Sequence, residues 1–155
     1  MLEDGILRWS EGEPLEGAVF KDETVTDLDM SNVRFDSVQF INCHFVSSRF
    51  VRTSFYDSIL RNCDLSNCDL SNSYWKGTVI QDSKAVGSNF DHGFFRETNF
   101  TGGVFNYSNY GGSVWENCAI SECDMREAFL SEVKLKKIRL SKEDFTRTSF
   151  FQDSP

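Results

Sequence analysis

Counted every fifth residue from Met30 through Phe35, Phe40, Phe45, Phe50, Phe55, Leu60, Leu65 and Leu70 to Phe150, twenty-five consecutive positions are apolar or aromatic. In a chain that is 39% hydrophobic, such a run has a chance probability on the order of 10^-10. Neither the helical period of 3.6 nor the strand period of 2 keeps every fifth residue on one side of an element over this length. The backbone must therefore turn within each repeat. A short extended piece and a tight turn, repeated, wind the chain into a solenoid whose central residues point inward, with successive coils about 4.8 Å apart.

A second inward position lies two residues before each centre. From Leu28 to Ile138 it is never charged, and it runs through Val33, Val38, Ser48, Thr53, Ser58, Ser73, Thr78 and Ala128. All five cysteines, Cys43, Cys63, Cys68, Cys118 and Cys123, occupy it. Large rings beside small groups suit a narrow, densely packed interior, and the hydroxyls there can bond neighbouring backbone. The cysteine spacing follows the repeat and lacks the close pairs of a zinc site, so it predicts buried free thiols.

Cys63-Asp64-Leu65-Ser66-Asn67, Cys68-Asp69-Leu70-Ser71-Asn72, Ser88-Asn89-Phe90-Asp91-His92 and Thr98-Asn99-Phe100-Thr101-Gly102 resemble the pentapeptide-repeat family, and the resemblance extends over about residues 26–152. It implies an all-β fold, a right-handed quadrilateral parallel β-helix of about 6–7 coils of 20 residues. Tyr74, Phe94, Val104, Val114 and Phe129 depart from the family's preference for Asp or Asn at that site. Ala85 is an undersized centre, and looser packing is expected between Leu65 and Phe105.

The expected organisation is an N-terminal cap with irregular first repeats over 1–25, the solenoid over 26–152 with its regular core at about 26–142, and a tail at 153–155. Charge enters the small inward position only near the termini, as at Glu23, Glu143 and Asp153. Leu15, Phe20 and Val25 keep the register ahead of the regular core, and Ile6, Leu7 and Trp9 offer apolar material to cover the first coil. Thr148-Ser149-Phe150 remains in register, which reads as an interrupted array. Either its last coil docks on another copy, or the native protein continues.

The formal net charge of −8 argues against direct binding to nucleic acid or an anionic membrane. It is unevenly spread, at −7 over residues 1–30 and +3 over residues 133–155. The acidic N-terminus and the lack of a long apolar run predict a soluble, cytoplasmic protein.

Stacking at 20 residues places Tyr56, Tyr74, Phe94 and Val114 outward on one side, with Tyr74, Phe94 and Val114 in vertical register. This is the candidate protein-interaction face; the alternative is a ladder of side chains that merely cover one another. Ile59, Val79 and Ala119, interrupted by Asn99, form a milder stripe read as structural. No catalytic, cofactor or metal constellation emerges: His44 and His92 fall on different sides, and Asp64, Asp69 and Asp124 fit repeat chemistry. Gly102-Gly103 and Gly111-Gly112 suit turns and lack the lysine of a phosphate loop.

The expected function is a noncatalytic scaffold mediating protein–protein interaction, its partner unspecified, with self-association through an uncapped end as a further expectation. The resemblance also implies an alternative. Some family members mimic duplex DNA and bind DNA gyrase or topoisomerase IV, conferring quinolone resistance, and Asp69 and Asp91 would then be acidic contact residues. Arg49, Arg52, Arg61, Lys76, Lys84 and Arg96 interrupt the negative surface this requires. The two readings differ in salt dependence: mimicry predicts a strong one, an aromatic face little.

Overall fold

The computed structural model describes residues 2–7 and 13–141. One side of the coil is a seven-stranded parallel sheet of Leu15–Glu16, Arg34–Asp36, Ser54–Tyr56, Tyr74–Lys76, Phe94–Arg96, Val114–Glu116 and Lys134–Lys136. Its register advances by 20 residues per step, as in Phe35 beside Phe55, Phe55 beside Trp75 and Trp75 beside Phe95. A second seven-stranded side follows from Val19–Lys21 to Arg139–Ser141 with the same spacing. The third side begins as the strand pair Thr24–Thr26 and His44–Val46. It continues through single bridges joining His44, Asp64, Lys84, Val104 and Asp124, and the fourth runs through Asp29, Arg49, Asp69, Asn89, Asn109 and Phe129. The fold is a four-sided parallel β-solenoid.

Two sides are strands and two are turns, and most of the Asp and Asn residues that precede a centre fall on the turn sides. On the third and fourth sides the chain closes a tight turn, as in Cys68 N–H to Leu65 C=O at 3.3 Å and Ser73 N–H to Leu70 C=O at 3.3 Å. The Asp64 and Asp69 carboxylates accept the backbone N–H of Ser66 at 2.9 Å and Ser71 at 3.0 Å. Asn89, Asn109 and Asp124 do the same for Asp91, Gly111 and Arg126. These side chains satisfy a donor that the turn withholds from the ladder. On the strand sides the equivalent residues are Tyr74, Phe94, Val114, Ile59 and Val79, which suit a pleated surface.

Every fifth residue from Gly17 to Lys137 has positive φ, five of them glycine and twenty not. These are the corners, and Asn62, Asn67 and Asn72 occupy them for the reason Asn tolerates the left-handed region: its short polar side chain bonds locally.

The centres form the core. Along the first side Phe35, Phe55, Trp75, Phe95 and Trp115 stack with centroid separations of 5.3, 4.0, 5.9 and 4.4 Å. Both tryptophans donate their indole N–H to a buried serine, Trp75 to Ser73 and Trp115 to Ser113, each at 2.8 Å. The five cysteines are buried, and none forms a disulfide. Buried hydroxyls bond carbonyls, as Thr53 does to Met30 at 2.7 Å and Ser58 to Tyr56 at 2.9 Å. The Tyr110 hydroxyl and Glu23 Oε2 are the buried side-chain oxygens without a hydrogen-bond partner among the described residues. Ala85, the undersized centre, is fully buried.

The ends differ. The fold is an all-β solenoid, and a short helix, Leu2–Leu7, lies against its first coil. Leu2 is fully buried and its N–H donates to Glu23 Oε1 at 2.9 Å, which gives the charged inward residue its partner. Ile6 packs half-buried against the core. Paired strands begin at Leu15. At the other end the centres Leu135 and Leu140 are 60% and 51% exposed. Trp9, the side chain of Leu7, Phe145, Phe150 and the 153–155 tail lie outside the described residues, as does the reading of an interrupted array.

Candidate protein-interaction face

The outer surface of the first side carries two columns, one on each flank of the buried ring stack. The column before the centre reads Arg34, Ser54, Tyr74, Phe94, Val114, Lys134, and the column after it reads Asp36, Tyr56, Lys76, Arg96, Glu116, Lys136. Tyr74, Phe94 and Val114 are neighbours in vertical register. Tyr56 belongs to the other column, level with Ser54, and reaches Tyr74 diagonally. Ring centroids lie 5.5 Å apart from Tyr56 to Tyr74 and 5.3 Å from Tyr74 to Phe94. All four predicted residues are half-buried, so each ring covers its neighbour while keeping part of its surface outward.

Sequence reasoning missed the charge around these rings. The Arg34 guanidinium sits 4.0 Å from the Tyr56 ring centroid, and 3.5 Å separates it from the Asp36 carboxylate. Lys76 and Arg96 are paired in register, and Arg96 approaches Glu116 at 3.8 Å. Lys134 and Lys136 follow one coil further on, both exposed. The signal was present: it appears once residues 20 apart are set side by side.

Asp69 and Asp91 lie on the fourth side, away from the rings. Asp69 is half-buried between Arg49 and Asn89 in its bridge ladder and is engaged with the Ser71 N–H. The Asp91 carboxylate is 2.9 Å from His92 Nδ1. His44 belongs to the third side and His92 to a corner of the fourth. Among the described residues no three His, Cys, Asp or Glu side chains gather as metal ligands. The Cys63 and Cys68 thiols are poor nucleophiles: burial pushes Cys68 up to about 11, and a hydrogen bond with Cys43, then burial, raises Cys63 above the ordinary thiol value. That hydrogen bond is also the main influence lowering Cys43, which is buried.

The family model for pentapeptide repeats matches residues 29–72 and 63–102, with eight copies. Residues 29–102 are pentapeptide repeats. Among solved structures, it is similar to full-length QnrB1, a plasmid-mediated fluoroquinolone resistance protein, at 18% identity and a TM-score of 0.46, covering 92% of this chain and 94% of that one. It is also similar to a pentapeptide-repeat protein from the Arabidopsis thaliana thylakoid lumen, at 16% identity and a TM-score of 0.47, over 81% and 73% of the two chains. A third is HetL, involved in heterocyst differentiation regulation in the cyanobacterium Nostoc, at 12% identity and 0.33 over 88% and 84%. No curated protein matches the sequence. At such identities no partner passes from these pentapeptide-repeat proteins to this one. Among its described residues, no helix is long and apolar enough to cross a membrane.

Proposed function

We propose that this protein is a noncatalytic scaffold that binds a partner protein through the outer face of its first side. The observation that carries this reading is the ring ladder Tyr56, Tyr74 and Phe94, continued by Val114, on a seven-stranded sheet. Tyrosine and phenylalanine held by their neighbours present contact area with little conformational entropy left to lose, the property of interface hot spots. The absence of a turn on this side leaves the surface level.

The test is a pull-down from the source lysate with tagged wild type beside the Tyr74→Ser/Phe94→Ser variant, with circular dichroism to verify that the variant is folded. A partner retained by wild type and lost with the folded variant is the expected result. Equal retention overturns the assignment of this face. Gyrase or topoisomerase IV subunits retained by both proteins, and released by Asp69→Lys/Asp91→Lys, would instead support duplex mimicry.

A further inference from the structure

We infer that the partner presents an acidic segment with apolar anchors to this face, an inference that rests on the interaction reading above and adds its chemistry. The chain has 24 acidic and 16 basic residues, yet the two outer columns from Arg34 to Lys136 hold five basic and two acidic side chains. Their charge is opposite to that of the molecule. Asp36 lies beside Arg34, and Glu116 lies beside Arg96 and in register with Lys136. Lys76, Lys134 and Lys136 have no ion-pair partner within 4.0 Å among the described residues.

Like charges opposite one another on a sheet are destabilising, and Lys76 stands directly opposite Arg96. A local conflict of this kind, relieved at Arg96 by Glu116 but not at Lys76, in a chain with acidic residues to spare, is the pattern of a contact site. From the level of Tyr56 to that of Lys136 is four coil steps, about 19 Å, which an extended segment of about six residues spans. Such a segment would lay apolar side chains on Tyr74, Phe94 and Val114 and carboxylates between Lys76, Arg96, Lys134 and Lys136. The charges then guide encounter and the rings hold the complex, so binding weakens with salt, unlike a purely aromatic contact.

Single-stranded nucleic acid also combines stacking with positive charge. Here the rings cover one another, Tyr74 against Phe94 at 5.3 Å and 33°, so the space between them is not open for a base to intercalate. The remaining sides add further acidic residues that repel phosphate.

The test is selection of a random 12-residue peptide library, displayed on phage, on the intact immobilised protein, with the Lys76→Glu/Arg96→Glu variant as counter-target. Enrichment of peptides rich in Asp and Glu with aromatic or aliphatic residues is expected. Their affinity by fluorescence anisotropy should fall about tenfold or more on Lys76→Glu/Arg96→Glu and fall again with added salt, while Lys84→Glu on the third side leaves it unchanged. Neutral or basic peptides, no enrichment, or tighter binding of a 12-nucleotide oligothymidylate would each overturn the inference, the last by assigning the face to nucleic acid. The pull-down separates the two levels. Loss of the partner with Tyr74→Ser/Phe94→Ser but not with Lys76→Glu/Arg96→Glu keeps the face and refutes the acidic segment, whereas retention by both refutes both.

Discussion

The strand-built sides and the turn-built sides of this solenoid repeat the same five-residue unit, bury the same kind of centre and share the same left-handed corner. They differ in what precedes the centre. On the turn sides, wherever Asp64, Asp69, Asn89, Asn109 or Asp124 stands there, it is engaged by the backbone of its own repeat, as Asp69 is by Ser71. On the strand sides the ladder satisfies the backbone, and the position is released for side chains such as Tyr74 and Phe94. The difference teaches that the repeat's preferred acidic residue belongs to local turn geometry, where it caps a backbone N–H, although the turn also closes over Lys84, Val104 and Arg49.

The most damaging substitution should be Trp75→Ala. It removes the ring stacked 4.0 Å from Phe55 and buried completely, at a cost of about 3–5 kcal/mol, measured by urea unfolding. The turn-side Leu70→Ala should cost less; an equal loss would show that the stacked rings of the first side add nothing beyond an ordinary centre. At the corners the two kinds of side should behave alike. Gly77 and Gly87 have φ of +63° and +71°, and a Cβ on Gly87 would sit 2.7 Å from Asn67 Oδ1. Each Gly→Ala change is therefore expected to lower stability by about 1–2 kcal/mol.

The caps sharpen the comparison further. Asp69→Ala should cost about 1 kcal/mol through the lost bond to Ser71 N–H. Val104→Asn should gain about half as much by offering an acceptor to the Asn106 N–H on a turn side, whereas Val114→Asn on a strand side should gain nothing, all by the same unfolding assay. The smallest effect concerns pH. The Arg126 guanidinium, bonded to both Asp124 oxygens at 2.7 and 2.9 Å, holds that carboxyl below its ordinary value. A folded-state value below the unfolded one stabilises above the unfolded value, and the benefit is lost as pH falls through the folded one. Asp124→Asn should be less stable than wild type at neutral pH, and the deficit should close in acid below the carboxylate range.

Much of this architecture is legible from spacing. Every fifth residue places Phe35, Trp75 and Phe95 inside, and two before them the small groups, because the interior has room for one large and one small side chain per repeat. The 20-residue stacking is not contained in that period and came from the family resemblance. Asn62, Asn67 and Asn72 mark the corners in plain sight, two residues after each centre, once a left-handed conformation is looked for there. The helix Leu2–Leu7 is illegible: six residues make fewer than two turns, too few to display a period, and Gly5 argues against helix. Tyr74, Phe94 and Val114 could be aligned by counting, but the charges beside them require a second column to be aligned with the first. Nor does counting reveal the Arg34 contact with Tyr56, which depends on side-chain direction.

The common register of all four sides also governs which changes of length the molecule can absorb. Removing 20 residues from the middle takes out one complete layer and leaves every later residue on its original side, shortening the rod by about 4.8 Å. Removing five keeps each centre inward but swings everything downstream by a quarter turn, so that residues suited to turns arrive where strands pair, and the rings of one side meet the caps of another. The chain is thus written in two nested units, a small one that protects the core and a larger one that protects the surface.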